Sequence, residues 1–349
     1  MTGGVLDPVV DALARFDGAL ASVDVDAAVD VVERLLDDGT DAVTVLVDVI
    51  ASAQRTVGDR WQRGEWTVAE EHAATAVSVS ATEAVARKVR RTPATRGRVV
   101  VACAEREWHA LPAMIVGTAL RADGWDITLL GASTLPVRLS QYLHDLGPDA
   151  TAVSCSILGA LPTTRRFIEA STAAGIPVVV GGSAFGPDDR RAAALGATAW
   201  AAGAREAIAA VHALPTVVAA APPLSSAAAA EQAAMELAHH RLVSALRDRW
   251  SLAAQIVTTD QHPLDSVHDV AADVVNQSLH AVSAALLTGD PRTVSDTATW
   301  VADLLAARSV DRSLVGELGR LLVADLRDYP LARALVEDHW TDPITTGPR

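Results

Sequence analysis

Residues 98 to 109 read Arg98-Val-Val-Val-Ala-Cys-Ala104-Glu-Arg-Glu107-Trp-His109. The run from Arg98 to Ala104 is apolar without alternation, the pattern of a strand buried on both faces and so of a parallel sheet covered by helices. Outward from it, residues 97 to 213 alternate strands with helices. Leu111 to Ala122 reads as helix, and Asp126 to Leu130, Ala150 to Ser154 and Pro177 to Val180 read as strands. Helices start at Pro136 and Leu161, and a short strand near Thr198 with a helix from Ala204 closes the unit. This order predicts a doubly wound parallel α/β sheet, which binds ligands at the carboxyl ends of its strands. Glu107 and His109 follow the first strand, Ser154-Cys-Ser156 the third, and Gly181-Gly182 the fourth. The chemically distinctive residues of this segment therefore gather on one edge.

Before the sheet, residues 8 to 91 read as a helix bundle, with apolar residues at helical spacing from Val25 to Leu36 and from Asp41 to Trp61. Gly64 stands where a helix C-terminus favours a left-handed residue. Thr67-Val-Ala-Glu70 is a capping box, so the next helix starts at Val68 and runs toward Arg90. Glu71 and His72 then lie in its first turns, across a short loop from Trp61. A carboxylate in a first turn is favoured by the helix dipole whatever else it does.

Leu214 to Ala229 holds Pro215, Pro222, Pro223 and a Ser-Ser-Ala run, which is linker composition. Beyond it the chain reads as helical at 228–258, 265–288, 293–308 and 311–338, with a break expected before Pro330. The tail from Thr341 reads as frayed. The predicted division is 1–92 helical cap, 93–214 sheet domain, 215–228 linker and 229–349 C-terminal helical domain.

Bulk properties narrow the function classes. The chain has 349 residues, 50% hydrophobic but only 4% aromatic, with a formal charge of −14. The acidic balance argues against nonspecific binding to nucleic acid or anionic membranes, both of which need a basic face. Neither a secretion signal nor a membrane span is read from the sequence. A cytoplasmic location is expected. Cys103 and Cys155 fall in buried strands and read as small hydrophobes, not as a redox pair.

His109 alone reads as an ordinary loop histidine. Glu107, two positions earlier, changes that reading, because a ligating imidazole usually donates its second N–H to a carboxylate. Ser154 and Ser156 supply hydroxyls, and Gly181-Gly182 lets a bulky group pass close to the backbone. Each of these also has an ordinary explanation in turn chemistry.

Taken together, residues 8 to 213 resemble cobalamin-binding modules, in which a helical cap precedes a flavodoxin-like domain. The resemblance rests on Glu107-x-His109, the serine strand end and Gly181-Gly182. It implies that His109 is the lower cobalt ligand and that the cofactor's nucleotide tail runs past Ser154, Ser156, Gly181 and Gly182. Pro112 departs from the signature, which has glycine there. Proline in a first helical turn is unstrained, so adjustment and not loss of binding is expected. Trp61, nine intervening residues, then Glu71-His72 resembles the light-sensing subgroup, whose upper ligand is adenosyl. That resemblance implies that Trp61 covers the adenosyl group, Glu71 bonds its ribose, Val68 lines the pocket and His72 takes the upper cobalt position after light. The chain is then a photoreceptor using adenosylcobalamin, a regulatory protein and not an enzyme. Its output lies in homo-oligomer state or a partner, without direct DNA binding.

The order of domains resembles the photocobilins, which add biliverdin as a second chromophore. In that reading the C-terminal helices form a globin-like pocket. With no cysteine after Cys155, the bilin is held noncovalently. His239, His240, Arg241, Arg247 and Arg249, on one predicted helix, with His268 and His280, are the candidate partners of its propionates. A solvated basic face is the plain alternative. The alternative for the whole chain is a corrinoid methyl-carrier protein serving a separate methyltransferase. It would share His109 but has no use for a ribose-bonding glutamate. A mutase is not expected, since no segment of about 250 residues remains for a substrate barrel.

Overall fold

The computed structural model describes residues 8–257 and 265–340, with side chains other than those of 255–269. The chain divides into two compact units, one of Met1–Trp61 with Glu65–Ala221, the other of Pro222–Arg349 with Gln62–Gly64.

The first unit opens with helices Pro8–Ala21 and Val25–Asp37. In the second of these Ala28, Val31, Val32 and Leu35 are buried, the one-face spacing of an amphipathic helix. Asp24 caps it by accepting from the Ala27 N–H at 2.9 Å. The next helical stretch spans 42–62 and is not uniform: Val45–Ala51 is wound as π-helix and Ser52–Gln62 as α-helix. The apolar spacing of Asp41 to Trp61 gave no sign of that change of pitch. The capping box forms as read, with the Glu70 N–H donating to Thr67 Oγ1 at 3.2 Å and the Thr67 N–H to Glu70 Oε2 at 2.7 Å. The helix Val68–Val89 follows it, and Gly64 takes φ +70°. Phe16, Leu20, Leu46, Ile50, Val57, Val77 and Val85 form one core, which Leu111 and Ile115 of the sheet domain also enter. Cap and sheet domain thus share buried surface.

Five parallel strands follow: β1 (Arg98–Ala104), β2 (Asp126–Thr134), β3 (Ala150–Ser154), β4 (Val178–Gly181) and β5 (Ala199–Ala201). Their order is β2-β1-β3-β4-β5, which puts the reversal of winding between β1 and β3. In open α/β sheets that switch point is where the crevice for a ligand opens. The β1–β2 register slips on either side of Ala102, which pairs with Gly131. Such bulges re-aim the chain at strand ends, here just before Glu107.

The second unit is helical: Ser226–Val257, Asp265–Thr288, Arg292–Ala307, Ser313–Asp325 and Pro330–His339. The break before Pro330 falls where proline forbids continuation. Trp250 is fully buried and donates from Nε1 to the Leu314 carbonyl at 2.9 Å. Trp340 does the same to Val315 at 3.0 Å. Among the described residues one stretch, Val270–Thr288, is by length and composition apolar enough to cross a membrane, although it carries Asp273 and is rich in alanine. That stretch is 67% buried within the protein, and helices packed into a protein core share its composition. The tail from Thr341 lies outside the described residues.

Candidate cobalamin site

The end of β1 turns sharply. Arg106 adopts φ +74° and Ser133, on the neighbouring loop, φ +46°. Both are left-handed conformations that a side chain disfavours. The two turns brace each other, Arg106 donating its N–H to Ser133 Oγ at 3.3 Å and Ser133 its N–H to the Glu107 carbonyl at 2.9 Å. The result drives Glu107 inward, where it is wholly buried, while Trp108 is left 72% exposed.

Glu107 is the hub. Its Oε1 accepts from the His109 N–H at 2.9 Å and lies 2.7 Å from His109 Nδ1. Its Oε2 accepts from the Ile157 N–H at 3.1 Å and from that of Ser156. Burial pushes this carboxyl up, but hydrogen bonds from the His109 side chain and from the His109 and Ser156 backbones outweigh it and hold it below the ordinary carboxylate range. The hydrogen bond to Glu107 lifts His109 above the ordinary histidine value; burial opposes, and the charges of Glu107 and Glu71 add to the lift. Neutral imidazole therefore carries its proton on Nδ1 and presents the Nε2 lone pair outward, since Glu107 takes the Nδ1–H. That is the tautomer a metal ligand needs. The His109 side chain is 56% exposed, so Nε2 has room for a partner.

Beside this edge lies a cavity of about 350 Å³, within the size range of small-molecule sites. One wall is the sheet face with Val101, Ala152 and Val179, and another is the helix Ala110–Ala122. Ser154, Ser156, Gly181, Gly182 and Pro112 line it, as do Val47, Ala51, Gln54 and Arg55 of the cap. The four residues expected to carry the nucleotide tail thus share one cavity. The glycines also serve the fold itself. A Cβ at Gly181 would sit 2.6 Å from the Ala201 carbonyl oxygen, and one at Gly182, where φ is +105°, 2.2 Å from that of Cys155. Pro112 is the third residue of its helix, where no intrahelical N–H is required.

On the cap, Glu71 is half-buried, and its charge adds to the upward shift of His109. Thr75 Oγ1 donates to Glu71 Oε1 at 3.0 Å, and His72 Nε2 stands 3.4 Å from Glu71 Oε2. Trp61 is half-buried, His72 and Val68 are exposed, and none of these three lines the cavity. Cys103 and Cys155 are free and buried. Burial pushes the Cys103 thiol up to about 12, and the Cys155 thiol is raised as well, again by burial first.

In the second unit His239 and His280 stack at 4.7 Å with parallel rings, and His239 Nε2 lies 3.0 Å from Asn276 Oδ1. His240, Arg241, Arg247 and Arg249 are exposed. Arg247 pairs with Asp248 at 3.1 Å and Arg249 pairs with Asp325. The structure therefore does not gather the five basic residues of this helix at one place. Successive residues of an α-helix turn by about 100°, which spreads them around its circumference. The His268 side chain lies outside the described residues.

Residues 97–211 match the B12 binding domain family, and residues 12–85 match a second B12 binding domain family. These two segments are the chain's B12 binding domains, and they indicate a cobalamin or corrinoid cofactor. The monomethylamine corrinoid protein of Methanosarcina barkeri has a similar fold, with TM-score 0.52 and 17% identity over 59% of this chain and 99% of that one. The methanol:cobalamin methyltransferase complex of the same organism aligns at 19% identity over 59% of this chain and 82% of its own, with TM-score 0.32. A cobalamin-binding protein of Desulfitobacterium hafniense DCB-2 aligns at 20% identity over 59% of this chain and 97% of its own, with TM-score 0.31. No curated protein matches the sequence.

The residues present suit the cofactor. An imidazole fixed at Nδ1 and open at Nε2 is a ready axial ligand. The adjoining cavity, walled by the sheet and floored by glycines, suits a displaced nucleotide tail. Sequence reading missed Arg106, Ser133, Gln54, Thr75 and Ser183, the last of which donates to the Ser156 carbonyl at 2.8 Å.

Proposed function

We propose that the chain is a light-responsive regulator that holds adenosylcobalamin between its cap and its sheet domain. The observation that carries this reading is Glu71 of the cap, half-buried and held by the Thr75 hydroxyl at 3.0 Å, in a chain whose His109 is fixed by Glu107 at 2.7 Å. His109 Nε2 would hold cobalt from below, and Ser154, Ser156, Gly181 and Gly182 would flank the nucleotide tail. Glu71 would accept from the ribose hydroxyls, with Trp61 and Val68 covering the adenosyl group and His72 adjacent to the upper position. Bound adenosylcobalamin supplies a cobalt–carbon bond that visible light cleaves. What the chain contributes is a cap packed on Leu111 and Ile115 and a carboxylate that loses its hydroxyl partners when the upper group departs. The cap then has a differential interaction with the two states, which is what a ligand switch requires. The output would be a change of oligomer or partner. In the second unit, the His239–His280 stack is the candidate contact for biliverdin.

A second reading is a corrinoid methyl-carrier protein for a separate methyltransferase. It is supported by the fold shared with the monomethylamine corrinoid protein, nearly all of which this chain matches. The comparisons favour this reading more directly than the sensor; Glu71 favours the sensor, since a methyl group offers a carboxylate nothing to bond. Illumination of the purified protein loaded with adenosylcobalamin in the dark separates them. The sensor gives an irreversible spectral change under green light together with a shift in elution volume. A protein that takes up methylcobalamin and adenosylcobalamin equally and elutes unchanged after light is a carrier.

A further inference from the structure

Three polar side chains join the two long cap helices. Gln54 Nε2 donates to Thr75 Oγ1 at 2.7 Å, and Thr75 Oγ1 donates to Glu71 Oε1 at 3.0 Å. The direction of this chain is fixed by chemistry. A carboxylate oxygen accepts, so the Thr75 hydroxyl must spend its single proton on Glu71. It can then only accept from Gln54, which forces the amide to turn its NH2 toward Thr75. The oxygen is thereby left over. Gln54 Oε1 is buried and has no hydrogen-bond partner, and among the described residues lining the large cavity Gln54 alone has such an atom. A buried acceptor without a donor is unfavourable, and an N–H or O–H brought by a ligand would satisfy it.

Gln54 and Trp61 lie seven residues apart, two helical turns along one face. Thr75 is one turn beyond Glu71 on the facing helix. We propose that Gln54 is a positioning residue for the upper face of the cofactor, accepting at Oε1 from a carboxamide N–H on the corrin periphery and, through Thr75, fixing the rotamer of Glu71. Seating of the ring and readiness to bond the upper ligand are then one event. This deepens the adenosylcobalamin reading and rests on it.

The test uses the full-length protein titrated in the dark with adenosylcobalamin and, separately, methylcobalamin, followed by absorbance. Thr75→Val removes the relaying hydroxyl at nearly constant volume; Thr75→Ser retains it. Gln54→Leu removes both the relay and the acceptor. The expected result is that Thr75→Val loses about tenfold or more of its preference for adenosylcobalamin over methylcobalamin, the size of one hydrogen bond to a charged group. Thr75→Ser keeps the preference, and Gln54→Leu weakens both cobalamins. A wild-type preference that Thr75→Val leaves intact overturns the relay while sparing the reading beneath it. A wild-type protein with no preference overturns both. Loss confined to adenosylcobalamin in Gln54→Leu overturns the carboxamide as donor and assigns it to the adenosyl group.

Discussion

Glu107 has no spare capacity: one oxygen holds His109 twice over and the other takes the amides of Ser156 and Ile157. Replacing it by alanine strands buried donors, at about 1–3 kcal/mol, and removes the partner that orients the imidazole. We expect Glu107→Ala to lower the urea midpoint of the cofactor-free protein and to weaken cobalamin binding by about 10–100-fold; wild-type affinity in that variant would deny His109 its role. Cys103 and Cys155 give the opposite expectation. Burial raises both thiols, that of Cys103 to about 12, so neither should react with iodoacetamide at pH 8 in the native protein, and both should react in denaturant. Labelling of the folded chain would show that this edge of the sheet opens. At this scale the sequence was informative where chemistry is local. Glu107-x-His109 is two residues apart, so a turn suffices to join them. Gln54 and Thr75 are 21 residues apart and meet only because two cap helices pack, which no spacing reveals. The left-handed turns at Arg106 and Ser133 escaped notice because neither residue is glycine.

Between elements, the cap is fastened to the sheet domain by shared core and by one bidentate pair. Arg205 Nη1 and Nη2 donate to Asp48 Oδ1 and Oδ2 at 2.9 and 2.7 Å. The hydrogen bond from Arg205 holds the Asp48 carboxyl below its usual value, with burial opposing. For a depressed carboxyl the stabilisation is present above the unfolded pKa, near 3.8, and disappears as pH falls through the lower folded value. Both side chains are about two-fifths exposed, so after solvent screening the pair is worth under about 1 kcal/mol. Arg205→Ala should therefore raise hydrogen exchange in the 42–62 helix modestly at neutral pH and low salt. The difference should vanish at acid pH below the folded value or at high salt. Thr67→Ala is a sharper intervention. It removes the capping box, costs about 1 kcal/mol and frays the turn that carries Glu71. Helix starts and stops were legible, because Thr67-x-x-Glu70, Gly64 and Pro330 each act through their own backbone. The π-helical turn at Val45–Ala51 was not legible, since the same apolar residues suit either pitch.

For the whole molecule, the two B12 binding segments and the doubly wound sheet were readable from alternating pattern and strand-end residues. The second unit was readable only as helices. Helix-forming patterns say nothing of which faces meet, and the stacking of His239 on His280 depends on that meeting. If this pair contacts a bilin, adding biliverdin should give a red-shifted band that His280→Ala diminishes; an identical spectrum in that variant would remove the pair from the site.

The cobalamin reading depends on imidazole 109 as the group that would hold the cobalt. Electron paramagnetic resonance of the protein loaded with cobalamin and reduced to the cobalt(II) state reads that ligand directly, because its nitrogen splits each cobalt line. Protein grown on 15N-histidine and loaded with unlabelled cofactor should show doublets in place of the triplets given by 14N, and His109→Ala should lose them. Triplets that persist in the labelled protein would mean that the cofactor keeps its own base on cobalt, contradicting the account.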